Sequence, residues 1–242
     1  MEQRPGEVRV WLIDVDQLPP LSRAAVGVLD DEEWAHIGVL RARGARWGHT
    51  VGRVAAHRAV ALVADVDPDR VRLTAGPGGR PVVSGGGADV NLSRSGRALA
   101  LVASTTCRVG VDIEQLGDQS PGVPADALSA GERRLLRCAA ADVRAAAMLR
   151  LWTLKEALAK LSGAGLDTAR LDRFDLGERA VGHIPGDLPV GDVGATPVAL
   201  GSAEISLYGT RCRLSVAVAP NDAARRAGCV TVTVLDGAGL VA

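Results

Sequence analysis

The order of elements along the chain predicts an α+β protein made of two similar-sized lobes with a ligand cleft between them. Two observations carry this. Helical segments precede a run of strands twice, once in each half of the 242 residues. A chain of that length is also sufficient for one large or two small units, each able to bury its own core. The natural division falls near Ser104, giving lobes 1–104 and 105–242, although the halves show no convincing sequence repeat.

Each element has its own local signal. Residues 8–13 read as an apolar strand, and 22–37 and 46–64 as helices. Asp65-Val66-Asp67-Pro68 ends the second helix, because proline cannot continue it. A short strand over 71–74, a Gly- and Pro-rich turn over 75–81 and a loop over 84–87 follow. Three successive strands over 90–93, 97–103 and 108–113 are linked by Ser95-Gly96 and Thr105-Thr106. Residues 130–140 and 143–161 are helical, and Gly163 suits a left-handed cap after Ser162. Beyond 171–176, a Gly/Pro-rich stretch runs over 182–197, and 204–207, 212–219 and 230–235 read as strands.

Composition narrows the function classes. The 28 basic and 28 acidic residues balance, so nonspecific nucleic-acid binding is not expected and any anion site must be local. Aromatics are only 2 %, so the core is aliphatic. Cys107, Cys138, Cys212 and Cys229 form no CxxC pair and read as reduced, mostly buried thiols of a cytoplasmic protein. The first 20 residues lack the apolar centre of a signal peptide, and the apolar run over 98–107 is too short to span a bilayer, so no membrane association is expected.

The chemistry concentrates in two motifs. Gly110-Val111-Asp112-Ile113-Glu114 reads as a strand with Asp112 and Glu114 on one face and Val109, Val111 and Ile113 on the other. Trp152 through Lys160 reads as a helix carrying Glu156 between Lys155 and Lys160. Carboxylates suit a hard divalent cation and lysines suit phosphates. By spacing alone the two strand acids also fit a solvated strand terminus. Helical periodicity likewise puts Glu156 and Lys160 opposite an apolar stripe of Ala147, Leu151, Leu154, Leu158 and Leu161, as a solvent face would. Trp152, one turn before Glu156 on the same side, fits a cleft wall better than a solvent face. Asn91-Leu92-Ser93-Arg94-Ser95-Gly96 offers hydroxyls, an arginine and turn amides to a phosphate, or is simply a hairpin turn. The glycines over 76–79 precede no Lys-Ser/Thr and so form no P-loop. His36, His49, His57 and His183 lack metal-ligand spacing, and no arrangement suggests a covalent nucleophile.

Taken in order, Gly79-Arg80-Pro81 with Asn91 to Gly96, then Gly110 to Glu114, then Trp152 through Lys160 to Gly163 and Gly165-Leu166 resemble the surfactin-type 4′-phosphopantetheinyl transferases. The resemblance covers about residues 79–166. It implies a pseudo-twofold arrangement of two α+β lobes with coenzyme A between them, as substrate. It implies Mg²⁺-dependent transfer of the phosphopantetheine arm to a serine of an acyl or peptidyl carrier protein, with release of adenosine 3′,5′-bisphosphate. Asp112, Glu114 and Glu156 match the family's magnesium ligands, with Mn²⁺ as the alternative ion. Lys160 matches a lysine near the pyrophosphate, and Arg80 and Ser93 match contacts to the nucleotide phosphates. Lys155 lies within the motif. Arg94 stands where the family carries His, which keeps a donor but fixes its charge. Acidic Asp31, Glu32 and Glu33 lie where the family is often basic, and Arg41, Arg43, Arg46, Arg53 and Arg58 are the candidates for further phosphate contacts.

In the mechanism these expectations give, Glu156 is the base, Lys160 stabilises the leaving charge with Arg94, and Asp112 holds the ion. A monomer suffices, because the cleft needs no second chain. The Ala/Arg/Gly/Val-rich composition suits an enzyme of secondary-metabolite biosynthesis, on polyketide or nonribosomal peptide assembly lines, or of fatty acid synthesis. The alternative is a non-catalytic protein of the same fold that binds coenzyme A, a nucleotide or the carrier.

Overall fold

A computed structural model describes residues 6–76, 79–117, 123–163, 171, 175–176, 184, 186–193, 196–227 and 229–241. His183 and the Gly165-Leu166 pair lie outside the described residues. The fold is mixed α+β, as the sequence predicts. Its elements run β1 (Glu7–Asp14), α1 (Arg23–Val26), α2 (Asp31–Gly38), α3 (Arg43–Ala64), β2 (Leu73–Ala75), β3 (Pro81–Val83), β4 (Asp89–Ser95), β5 (Ala98–Ser104) and β6 (Cys107–Gln115). Then come α4 (Ala130–Cys138), α5 (Ala141–Ser162), β7 (Gly186–Val193), β8 (Thr196–Leu207), β9 (Thr210–Pro220), α6 (Asp222–Ala227) and β10 (Cys229–Asp236).

Eight strands form one sheet in the order β4-β5-β1-β10-β7-β8-β9-β6, and β2 and β3 make a separate hairpin. β1 bridges the sequence halves, pairing antiparallel with β5 and parallel with β10. The two end strands of this sheet, β4 and β6, meet. Side chains of β4 accept from the backbone of β6: Asp89 Oδ2 from Val109 N–H (2.8 Å), Asn91 Oδ1 from Val111 N–H (3.2 Å) and Ser95 Oγ from Gln115 N–H (3.1 Å). The sheet therefore curls until its open edges are satisfied by polar side chains instead of a backbone ladder.

Strand alternation divides the core into layers. Val8 and Val10 of β1, Ala98, Ala100 and Val102 of β5, and Val109, Val111 and Ile113 of β6 fill the inside of the curl. Trp11, Ile13, Leu99 and Leu101 face outward onto Val51, Ala55 and Ala59 of α3. Leu154, Ala157, Leu158 and Leu161 of α5 cover Val198, Leu200 and Ala217 of β8 and β9.

α5 also lies directly on β6, and Gly110 is the reason it can. A Cβ there would overlap the Ala157 carbonyl oxygen and stand 2.7 Å from the Leu161 nitrogen, both helix backbone that cannot swing aside. Gly110→Ala is therefore expected to destabilise the protein by about 1–3 kcal/mol and to push α5 off the strand, read as a lowered urea midpoint.

The structure departs from the sequence reading in three places. The helix expected over 22–37 is two helices, because Ser22 caps α1 and an Asp30–Glu33 capping box starts α2 afresh. Part of the Gly/Pro-rich stretch, which the sequence assigns to no element, is β7, which backbone pairing with β10 and β8 holds extended despite poor strand formers. β3 takes in Pro81, the last residue of the expected turn, with Val82 and Val83, which the sequence assigns to no element, and it pairs with β2. All four cysteines are free; Cys107 and Cys212 are buried, whereas Cys138 is exposed. Among the described residues no helix is long and apolar enough to cross a membrane.

Candidate active site

With Val109, Val111 and Ile113 turned inward, β6 must turn Asp112 and Glu114 to its other face, toward α5. Glu156 and Lys160, one turn apart, come down on that face. Lys160 Nζ lies 2.5 Å from Asp112 Oδ1 and donates to Ser93 Oγ of β4 at 2.8 Å. Ser93 Oγ donates in turn to Asp112 Oδ1 at 2.8 Å, and Ser95 Oγ donates to Glu114 Oε2 at 2.6 Å. Asp112 and Glu156 are only 3 % and 5 % exposed. The solvent face that periodicity allowed for Glu156 is thus replaced by a buried one, because the α5 surface opposite the apolar stripe is covered too.

Electrostatics tie the three acids together. Burial pushes the Glu156 carboxyl up to about 7; the negative charges of Asp112 and Glu114 push the same way, and Lys160 opposes them. Asp112 is raised by burial against the pull of Lys160 and Ser93, and Glu114 by burial against the bond from Ser95. The Glu156 carboxylate has no hydrogen-bond donor among the described residues, and Asp112 Oδ2 is buried with no partner.

Among the described residues no three His, Cys, Asp or Glu side chains stand as a ready-made ion cage. The donor set still fits a hard cation. Three carboxylates face one ammonium, one buried oxygen is orphaned, and one carboxyl is driven toward its neutral form by burial and by its acidic neighbours. This strain has a measurable sign. The folded protein holds the Glu156 proton more tightly than the unfolded chain does, whose ordinary value is 4.5, so metal-free protein loses stability as pH rises from about 4.5 to about 7. The loss is on the order of 3 kcal/mol. Glu156→Gln should flatten that part of the slope, measured as urea midpoints in EDTA across this range.

The other residues named from sequence lie apart from this cluster or are already committed. Arg80 donates to Asp89 Oδ2 (2.6 Å), to the Val109 carbonyl (2.9 Å) and to the Lys160 carbonyl, clamping β4, β6 and the end of α5 together. Arg94 is exposed on the opposite face of β4 from Ser93; with Gly48, His49 and Arg53 of α3 it lines a cavity of about 280 Å³. Lys155 is fully buried on another side of α5. Its ammonium lies 2.7 Å from Glu132 Oε2 and donates to the carbonyls of Ala127 (3.0 Å) and Leu171 (2.8 Å). Of the upstream arginines, Arg53 is held by buried Glu33, which also contacts His57, and Arg46 and Arg58 donate to the carbonyls of Leu40 and Leu240. Arg41 and Arg43 are exposed.

Sequence reasoning missed Ser95 and Glu132. Ser95 had a visible signal: Asp89, Asn91, Ser93 and Ser95 put a small polar group at every second position of one strand, as a polar seam requires. Glu132 also had one, as the third residue after Ser129 in a capping box, but nothing local reveals that it receives Lys155.

No curated protein matches the chain. A family model described as the 4′-phosphopantetheinyl transferase superfamily matches residues 108–188, about a third of the chain. That segment runs from the strand with Asp112 and Glu114 through the helix with Glu156 and Lys160, and the match supports placing the protein in this superfamily.

Proposed function

We propose that the protein transfers the 4′-phosphopantetheine arm of coenzyme A to a serine of an acyl or peptidyl carrier protein, as a surfactin-type, holo-carrier-protein-forming enzyme dependent on Mg²⁺ or Mn²⁺. The observation that carries the proposal is the meeting of Asp112 and Glu114 with Glu156 and Lys160 inside the segment that the superfamily model matches. Asp112, Glu114 and Glu156 are the residues that would hold the ion. When bound, it neutralises charge on the pyrophosphate and on the leaving bisphosphate.

The rest is work for the chain's own side chains. Lys160, the cation nearest the acids, offers its ammonium to a phosphate oxygen and stabilises the charge that grows as the bond to adenosine 3′,5′-bisphosphate breaks. As the carrier serine oxygen forms its bond to phosphorus, its proton passes to Glu156, directly or through a water. Holding serine and phosphorus in line supplies much of the rate. Exposed Arg94 is assigned to the nucleotide phosphates, whereas Ser93, buried on the opposite face of β4, is engaged with Lys160 and Asp112. Arg80 serves them indirectly, by fixing the strands around the site, and Lys155 serves as internal support for α5. The enzyme would act as a cytoplasmic monomer on carriers of polyketide, nonribosomal peptide or fatty acid assembly.

Intact-mass spectrometry of an apo carrier protein incubated with this protein, coenzyme A and Mg²⁺ tests the reading. A gain of one phosphopantetheine arm on the carrier serine, lost with EDTA, is the expected result. Coenzyme A binding without any gain across several carriers would instead identify a non-catalytic binder.

A further inference from the structure

The polar seam between β4 and β6 does more than close the sheet. Ser95 Oγ lies 3.1 Å from the Gln115 nitrogen and 2.6 Å from Glu114 Oε2. A backbone N–H can only donate, so the hydroxyl accepts there, and its single proton is left for the carboxylate. At 2.6 Å that bond has the length of a charge-assisted hydrogen bond. One pleat earlier the arrangement repeats: Ser93 Oγ accepts from Lys160 and gives its proton to Asp112. Two serines two residues apart on β4 therefore grip two acids two residues apart on β6.

The grip matters more for Glu114 than for Asp112. Asp112 is short, buried and also bound by Lys160. Glu114 has a longer side chain, is half-buried, and sits near the end of its strand. Among the described residues Ser95 is the one hydrogen-bond donor to its carboxylate. Without that hydroxyl the carboxylate is free to explore other rotamers.

We propose that Ser95 is a positioning residue, which holds Glu114 in the orientation an ion needs and does not touch substrate. The inference rests on Asp112, Glu114 and Glu156 being the ion's ligands, as proposed above. An acceptor held by an outer hydrogen bond binds its ion more tightly than a loose one, typically by 10–100-fold.

The test is Mn²⁺ binding by the full chain, read as loss of the free-ion electron paramagnetic resonance signal, with no carrier protein present. Ser95→Ala is expected to weaken Mn²⁺ binding by about tenfold or more, with the circular dichroism spectrum unchanged. In a Glu114→Ala background the same substitution should have no further effect, because the hydroxyl then has no acid to hold. Wild-type affinity in Ser95→Ala, or a full additional loss in the Glu114→Ala background, overturns the proposal. So does a wild-type protein that binds no Mn²⁺. A wild-type protein that binds Mn²⁺ in the expected pattern yet transfers nothing to a carrier removes the transferase reading and leaves this one standing.

Discussion

Asp112→Ala is expected to lower transfer by about 10³-fold or more, the scale on which loss of a transition-state charge stabiliser is felt, while the protein stays folded. Two consequences of one substitution give that size. The proposed ion would lose a ligand at the centre of the cluster, and Lys160 loses the oxygen 2.5 Å away that fixes its ammonium. Stability should move little or even rise at neutral pH. Burial already raises the Asp112 carboxyl above its ordinary range, so its charge is a cost to the metal-free fold. The comparison to make is carrier modification at saturating Mg²⁺ beside a urea titration in EDTA. Near-normal modification by Asp112→Ala would remove the metal assignment, and a collapsed urea midpoint would make its effect on activity uninformative.

Lys155→Met is the counterpart, with its main effect on stability. Lys155 is completely buried, and its ammonium is neutralised by Glu132, whose other bonds are to the backbone N–H groups of Ser129 and Leu176. Removing the lysine alone leaves a buried carboxylate without its counter-charge, for which about 3–5 kcal/mol is the usual loss. Combining it with Glu132→Gln should recover a good part of that, since no charge is then stranded. Urea midpoints of the two single variants and the double variant measure this. A single variant within 1 kcal/mol of wild type, roughly the worth of an exposed pair, would mean that Lys155 is reached by solvent.

The comparison between sequence and structure follows the range of the forces involved. β1, α3, β5, β6 and α5 were legible because strand alternation, helical periodicity, Pro68 and the left-handed Gly163 are local signals. β7 was not, because its extended backbone depends on two neighbours distant in sequence. The site was legible in its residue types but not in its environment. Spacing put Asp112 and Glu114 on one face, yet the burial of Glu156 and the diversion of Lys155 to Glu132 depend on how α4 and β6 pack around α5. Arg80 shows the same limit. Its position beside the motif was readable, but its three internal acceptors come from β4, β6 and α5.

The parallel pairing of β1 with β10 joins Glu7 to Thr231, positions more than two hundred residues apart. During synthesis the first strand leaves the ribosome long before its partner exists. Its apolar residues and one unpaired edge must wait through the production of nearly every other element. Contacts of this span slow folding, because the chain must close a very long loop before they form. They also leave a strand open to pairing with other chains in the meantime. Expression at low temperature or with chaperones should therefore raise the soluble yield of this protein more than substitutions at Asp112 or Glu156 would.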